Sequence, residues 1–115
     1  MALLYRTTAL NSTHPTWTHV FTGAPGSYRV DILGDLEGYL YISHRSTGGI
    51  IIRRSITGDP STWEQVNQPG MNGNPHNIGT VVDGATVYNG ALYVAVTNLT
   101  TGVEVWRTTG GATPT

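Results

Sequence analysis

Side chains suited to catalysis are few and widely spaced in this chain. The four histidines are His14, His19, His44 and His76, and the closest two are five residues apart around a proline. Five residues along a strand and a turn place two rings on different surfaces, so we expect no metal site within one chain. There is no cysteine, no Ser-His-Asp order and no phosphate-binding glycine loop. We therefore predict no catalytic residues, no cofactor and no enzyme activity.

A second group of residues suits ligand binding. The segment 69–77 is rich in asparagine amides, which both donate and accept hydrogen bonds and therefore suit sugar hydroxyls. The candidate ligand-binding residues are Asn72, Asn74, His76 and Asn77, with Tyr28 and Arg29 from the counterpart segment 22–29. The Asn-Gly-Asn-Pro sequence is explained equally well by turn formation. A lectin-like carbohydrate site is thus one alternative for this chain.

Two aspartates complete the set of candidate ligand-binding residues. Asp31 and Asp83 each follow a valine and lie 52 residues apart. In a closed ring of repeats they would form a circle of carboxylates near the mouth of the central channel. The alternative is structural, because an aspartate at this kind of position often accepts backbone N–H bonds in a turn.

The elements that carry these residues repeat along the chain. An aromatic phrase at 37–42 returns at 89–94, a Thr-Trp phrase at 16–20 returns at 62–66, and an arginine phrase occurs at 5–8, 53–56 and 106–109. A repeat of roughly 40 to 50 residues with about four short strands is typical of a β-propeller blade. Helical periodicity is absent, and fifteen glycines and six prolines interrupt the chain, so we predict an all-β fold.

The pattern predicts nine strands in about two blades. Their ranges are 3–8, 16–20, 28–33, 39–44, 50–55, 62–66, 81–88, 92–97 and 103–108. Counted outward from the propeller axis, residues 1–26 hold a third and an outermost strand, and residues 27–66 hold a complete four-stranded antiparallel blade. Residues 67–115 hold the first three strands of a further blade. The third strand is therefore represented at both ends.

Two blades leave sheet faces and strand edges unpaired, and such surfaces promote association. We predict that copies of the chain complete one homo-oligomeric ring, with a trimer of about six blades favoured over a tetramer or pentamer. Five aromatic residues recur with the strands, and we expect them to pack between blades rather than to stack on sugars. They are Trp17, Trp63, Trp106, Tyr41 and Tyr93.

The phrases at 62–66, 90–94 and 102–110 resemble those of bacterial and archaeal β-propellers with sialidase-like repeats. Blades of that type carry an Asp-box hairpin, roughly Ser-x-Asp-x-Gly-x-Thr-Trp, between the third and outermost strands. Segment 55–63 keeps the Thr-Trp end but lacks the aspartate at its expected place. The resemblance covers nearly the whole chain and implies the fold, and because the box is structural it does not imply an enzyme.

A piece of a sialidase-type glycoside hydrolase is the least favoured alternative. Arg6, Arg54 and Arg107 recur on the third strand, which lies far from the axis where a sialidase arginine cluster would sit. We expect these arginines to make cross-strand contacts. The chain also offers no recognisable pair of acid and nucleophile.

Charge and hydropathy exclude two classes of partner. All six basic residues are arginine, and seven acidic residues bring the formal net charge to −1, so no broad cationic field is available to hold nucleic acid. No run of about 18 apolar residues predicts a membrane span, and no basic leader with an apolar stretch predicts a signal peptide. The compartment is left open by the sequence.

Overall fold

The computed structural model describes residues 2–8, 13–14, 16–23 and 29–110, and the candidate residue Tyr28 lies outside them. Nine strands form within the described residues. They are β1 (Leu3–Arg6), β2 (Thr18–Thr22), β3 (Val30–Leu36), β4 (Tyr39–Ser46), β5 (Gly49–Ser55), β6 (Glu64–Gln65), β7 (Asn77–Tyr88), β8 (Ala91–Asn98) and β9 (Gly102–Thr108). No helix occurs in this part of the chain, which confirms the all-β prediction.

The strands form three antiparallel sheets in chain order. The two-stranded sheet pairs β1 with β2, the four-stranded sheet has the order β3-β4-β5-β6, and the three-stranded sheet has the order β7-β8-β9. Every pairing is between strands that are neighbours along the chain. The sheets therefore arise from local connections alone.

Two hairpins have the same turn. Glu37 and Gly38 between β3 and β4 both have positive φ, 53° and 81°, and Asn89 and Gly90 between β7 and β8 repeat this with 49° and 77°. Two successive residues with positive φ are characteristic of the type I′ turn, whose twist matches that of the flanking strands. The turn fixes the register of both hairpins, and this explains why glycine occupies the second position each time.

Some strand boundaries differ from the prediction for identifiable reasons. Strand β7 begins at Asn77, four residues before the predicted start, because its first residues pair with β8 ahead of an irregularity between Thr80 and Ala85. Strand β6 has two residues. Beyond it, the side chain of Asn67 takes over the pairing with β5, since its Oδ1 accepts a hydrogen bond of 2.8 Å from the amide of Ile52.

The main core lies between the four-stranded and three-stranded sheets. Alternate residues of β5, Ile50 and Ile52, face alternate residues of β8, Leu92 and Val94, and all four are buried. The opposite side of the four-stranded sheet contacts the two-stranded sheet, where the Phe21 ring lies 5.4 Å from the His44 ring. The four-stranded sheet thus contacts another sheet on each face, and Ile32 on its outer face is left 61% exposed.

One glycine is required by the approach of the loop that follows β6. Gly49 opens β5 with a φ of 111°, and a Cβ placed on it would lie 2.5 Å from the Cα of Gly70 and 2.7 Å from the carbonyl oxygen of Asn77. No side chain fits between these backbone segments. The position therefore fixes the path by which the chain crosses from the four-stranded to the three-stranded sheet.

Candidate functional site

The face of the three-stranded sheet that is turned away from the core is mostly apolar, and its residues on β7 and β9 are exposed. We call it the open face, and its residues are Tyr88, Tyr93, Ala95, Val103, Val105 and Arg107. Val105 is 67% exposed and Val103 is 61% exposed, although both lie within β9. The rings of Tyr88 and Tyr93 lie 6.2 Å apart on the same surface. An apolar patch of this kind is typical of an interaction surface.

The open face repeats the face of the four-stranded sheet that is buried in the core. Tyr93 pairs with Arg107 as Tyr41 pairs with Arg54. One step further along the ladder on the same face, Ala95 pairs with Val105 as Ser43 pairs with Ile52. The four residues of the four-stranded sheet are buried, whereas their counterparts on the open face are more exposed. The same pattern of cross-strand pairs therefore occurs twice, buried in the four-stranded sheet and exposed in the three-stranded sheet.

Arg54 shows how such an arginine is accommodated when it is buried. Its Nε donates to Glu64 Oε1 at 2.7 Å, an Nη donates to the Tyr41 hydroxyl at 3.2 Å, and its guanidinium carbon lies 4.1 Å from the Tyr39 ring centroid. Burial by itself lowers the pKa of Arg54, but the bonds to Glu64 and Tyr41 outweigh it and the pKa is raised. The prediction of a cross-strand structural role fits these contacts. Arg107, its counterpart, is exposed.

The two-stranded sheet attaches to the other side of the four-stranded sheet through β2. The Trp63 indole Nε1 donates to the Val20 carbonyl at 3.1 Å, and the Phe21 ring packs edge-on against Trp63 at 6.1 Å. The β1 strand adds an ion pair between Arg6 and Asp59, and the Arg6 guanidinium holds the pKa of that carboxyl below its usual range. Trp63 thus joins two sheets within one chain.

The other two tryptophans differ in their surroundings. Trp106 on β9 is half-buried, packs against the core and donates from Nε1 to Glu104 Oε1 at 3.0 Å. Trp17 lies one residue before β2 and is 57% exposed, so none of the described sheets covers it. Its repeat counterpart, Trp63, is the residue that bonds to the neighbouring sheet.

The predicted ligand-binding loop serves mainly to build the fold. Asn77 is buried; its Nδ2 donates to the Gly70 carbonyl and its Oδ1 accepts from Asn98 Nδ2, both at 2.8 Å. Asn74 accepts the backbone N–H of His76 at 3.0 Å in a turn. Asn72 is exposed and has a positive φ of 61°. Turn formation therefore accounts for Asn74, and a buried hydrogen-bond bridge accounts for Asn77. Asn72 and His76 lie on the surface.

Two other predicted residues line a cleft between the four-stranded and three-stranded sheets. Arg29 bonds to both carboxylate oxygens of Asp31 at 2.7 to 2.9 Å, and these bonds raise the pKa of Arg29, with a smaller contribution from the charge of Asp83. The cleft has a volume of about 110 Å³. Arg45 lines it on the opposite strand. The cleft lining has a positive formal charge, because it contains two arginines and one aspartate.

Asp83 does not occupy the same backbone position as Asp31. Asp31 pairs with Ser43 in the ladder, whereas Asp83 lies in the irregularity of β7 with a positive φ of 56°. The spacing of 52 residues is therefore accompanied by a local insertion in β7. Asp83 is exposed, and its charge still reaches Arg29.

Sequence reasoning missed Arg45 and a buried hydroxyl pair beside it. Ser43 Oγ and Thr80 Oγ1 lie 2.7 Å apart, and this bond joins the two sheets at the base of the cleft. Ser43 is a polar residue within the run of buried residues in β4, and a hydroxyl at such a position was the available signal. Nothing in the sequence marks Arg45, because the cleft exists only where the two sheets meet.

The described residues contain no group of three or more histidine, aspartate or glutamate side chains arranged to hold a metal ion. They also include no helix of the length and hydropathy needed to cross a bilayer. Together, the sheets and the two surfaces define an all-β protein built from antiparallel sheets. No protein family matches this chain, and neither a curated protein nor a solved structure matches it.

Proposed function

We propose that the chain is a non-catalytic, self-assembling β-propeller fragment, whose copies pack head to tail into a closed ring. The observation that carries this proposal is the repetition of a buried sheet face as an exposed one. Val105 is 67% exposed where Ile52, its counterpart in the ladder, is 7% exposed. A surface composed like a packed core is expected to be covered.

The complementary surface is on the same chain. Ile32 of β3 is paired with Ile42 and is 61% exposed on the side of the four-stranded sheet that faces away from the core. In the three-stranded sheet, Ala85 takes the matching place opposite Val94 and packs against the core. Ile32 is thus uncovered, whereas Ala85, at the matching place in the three-stranded sheet, is packed against the core. The open face of a second copy would supply it.

Such an interface is heterologous, because it joins two different surfaces of identical chains. Heterologous contacts form a ring when the rotation from copy to copy closes, and an open filament when it does not. Each chain contributes about two blades, so three chains give a propeller of about six blades. We favour the trimer, and a tetramer or pentamer would follow from a smaller rotation per blade.

Light scattering coupled to size exclusion at two protein concentrations tests this proposal. The expected result is a discrete mass of three to five times 12.3 kDa that does not change on dilution. A mass of 12.3 kDa at both concentrations would refute ring assembly. A broad distribution that grows with concentration would indicate a filament and would also refute it.

A second candidate function is lectin-like binding in the inter-sheet cleft, and the specific observation in its favour is the positive set of polar side chains there. The cleft holds a group several times the size of a water molecule. Arg45 and Arg29 line the cleft and can meet a carboxylate, and the Asp31 carboxylate, which is 22% exposed and bonded to Arg29, can accept hydroxyls. We propose a sugar acid as the ligand class for this alternative.

Titration calorimetry with glucuronate, compared with glucose, tests the second candidate. Binding of glucuronate that is lost in Arg45→Gln would support it. Arg6→Gln is the matched control, because it removes the same charge from an exposed ion pair outside the cleft. Equal heats for both sugars, or equal loss in both variants, would refute a cleft specific for an acid.

A further inference from the structure

The two-stranded sheet reproduces the outer half of the four-stranded sheet. Arg6 pairs with Thr18 as Arg54 pairs with Glu64, and the next pair along each ladder also corresponds. Strand β1 is therefore the counterpart of β5, and β2 is the counterpart of β6. By the same comparison β9 is also a counterpart of β5, since its pairing with β8 repeats that of β5 with β4. One chain thus carries this strand position three times.

If copies assemble as proposed above, β1 and β9 compete for one place. The three-stranded sheet of the first copy would pack on the four-stranded sheet of the second copy. This contact would repeat the one that each chain already makes between its own four-stranded and three-stranded sheets. This arrangement puts β9 of the first copy at the third-strand position beside the second copy's four-stranded sheet. That position already contains β1 of the second copy. Only one strand can occupy it.

Strand β1 is the weaker competitor. It has four residues, it pairs only with β2 among the described strands, and its register is irregular between Leu4 and Tyr5. Strand β9 has seven residues and pairs with β8 along its whole length without irregularity. Displacing β9 would break the larger ladder and expose Trp106, which packs on the core.

Strand β2 can remain in place when β1 leaves. Its Val20 carbonyl accepts from the Trp63 indole, and its Phe21 ring contacts Trp63 and His44, so β2 is held by its own four-stranded sheet. One edge of β2 would then be free. Among the described strands, the outer edge of β9 is also unpaired.

We propose that β2 of each copy dissociates from β1 and pairs with the outer edge of β9 in the neighbouring copy, completing its three-stranded sheet with a fourth strand. This inference rests on the proposed ring. The register follows from the four-stranded sheet, and it places Thr18 opposite Arg107 as Glu64 lies opposite Arg54. The partner is a second copy of this chain, and its β2 supplies the outermost strand of the neighbour's sheet.

The same register brings two threonines together across the junction. In the four-stranded sheet, Ser55 Oγ and Thr62 Oγ1 lie 2.5 Å apart. Thr108 is the counterpart of Ser55 on β9, and Thr16 precedes β2 as Thr62 precedes β6. Hydroxyl oxygens at this distance place their Cβ atoms no more than about 5 Å apart, close to the roughly 3.5–4.5 Å that a disulfide spans. The chain has no native cysteine to interfere.

The test is a double variant, Thr16→Cys with Thr108→Cys, oxidised in the assembled state and run on a non-reducing gel. We expect covalent species that rise in steps of 12.3 kDa and disappear on reduction. Thr22→Cys with Thr108→Cys is the matched control. Thr22 is the same residue type at the far end of β2, about 20 Å further along the strand. We expect at least about tenfold less cross-linking in this control.

A third variant, Thr7→Cys with Thr16→Cys, reports on the undisplaced arrangement, in which β1 stays on β2. Each sample is also weighed by light scattering under reducing conditions. An intact ring in which the Thr7 and Thr16 cysteines join within one chain, with no Thr16–Thr108 ladder, would overturn the strand exchange and leave ring assembly standing. Equal ladders with Thr16 and Thr22 would overturn the register and with it the exchange. A monomeric mass in all samples would overturn both proposals.

Discussion

Replacing Val105 by aspartate is the most direct perturbation of the open face. Val105 lies in the middle of β9, is 67% exposed in one chain, and corresponds to Ile52, which is buried in the core. The variant therefore places a charge at the centre of the proposed interface. It leaves the packed side of β9 unchanged.

The magnitude follows from the exposure. Full burial of a valine side chain is worth about 1.5–3 kcal/mol, so covering the two thirds of Val105 that is exposed contributes about 1–2 kcal/mol to each interface. An aspartate forfeits this and adds at least about 2 kcal/mol for desolvation of a group without a partner. The sum, about 3 kcal/mol or more, weakens association by at least about a hundredfold.

The assay is light scattering over a dilution series, combined with urea unfolding of the dissociated chain. We expect Val105→Asp to be monomeric where the parent chain is assembled. Its unfolding free energy at that concentration should lie within about 1 kcal/mol of the parent monomer, since surface substitutions have small effects. Leu99→Asp is the control, because Leu99 is also 67% exposed but lies in the turn after β8.

Two results would refute this reasoning. If Val105→Asp kept the parent mass across the dilution series, the open face would not be the interface. If Leu99→Asp dissociated to the same extent, the effect would reflect added charge rather than the position of Val105. Loss of the fold in Val105→Asp would show that β9 depends on that face within a single chain.

Three further predictions concern the stability of the single chain. Burial, with a smaller effect from the Arg53 charge, lowers the pKa of His44. As the pH drops below 6.5, the ordinary pKa of histidine, the unfolded chain therefore binds more protons than the folded chain, and the free energy of unfolding should fall by at most about 1.4 kcal/mol per pH unit. This component should be absent in His44→Gln. Trp63→Phe removes the indole bond to β2 and should cost about 1 kcal/mol in urea unfolding, whereas no change would show that the bond adds nothing. Gly49→Ala should lower the free energy of unfolding by several kcal/mol, because the added Cβ meets the backbone of the following loop. Gly73 has a φ of 79° and no neighbour within 4 Å, so Gly73→Ala should lower the free energy of unfolding only by the roughly 1–2 kcal/mol that an L-residue needs for a positive φ. Equal losses in thermal unfolding would contradict this reasoning.

The sequence predicted the secondary structure because strand patterning and turn chemistry are local. Alternation in β8 and the turn at Asn89 and Gly90 are each contained in a few residues. The irregularity in β7 was missed because it depends on which residues of β8 it pairs with. Likewise, Asn67 extends the pairing of β5 with a side chain, and no strand pattern encodes that contact.

Residues that face two sheets at once were the hardest to predict. Arg29 and Asp31 were identified from their positions in the repeat, and they do lie together in the cleft. Arg45 was not identified, because the cleft forms only where a strand end of one sheet meets the next sheet. Asn77 was predicted as a ligand-binding residue. It is buried, because its amide joins Gly70 to Asn98 across a loop whose path the sequence does not specify.

The residue pattern of β9 favours an arrangement in which a second copy of the chain packs on the open face. A sheet with one face in water places charged residues outward and apolar residues inward. Residues 103–105 of β9 do the reverse: Val103 and Val105 point outward, while Glu104 points toward the core side and is engaged by the Trp106 indole. Trp106 and Arg107, further along the strand, follow the usual pattern. A solvent-facing strand of this pattern would gain nothing from its valines and would bury part of a charge. The pattern is consistent if both faces are covered, because Trp106 satisfies Glu104 on one side and a second copy packs on the valines on the other.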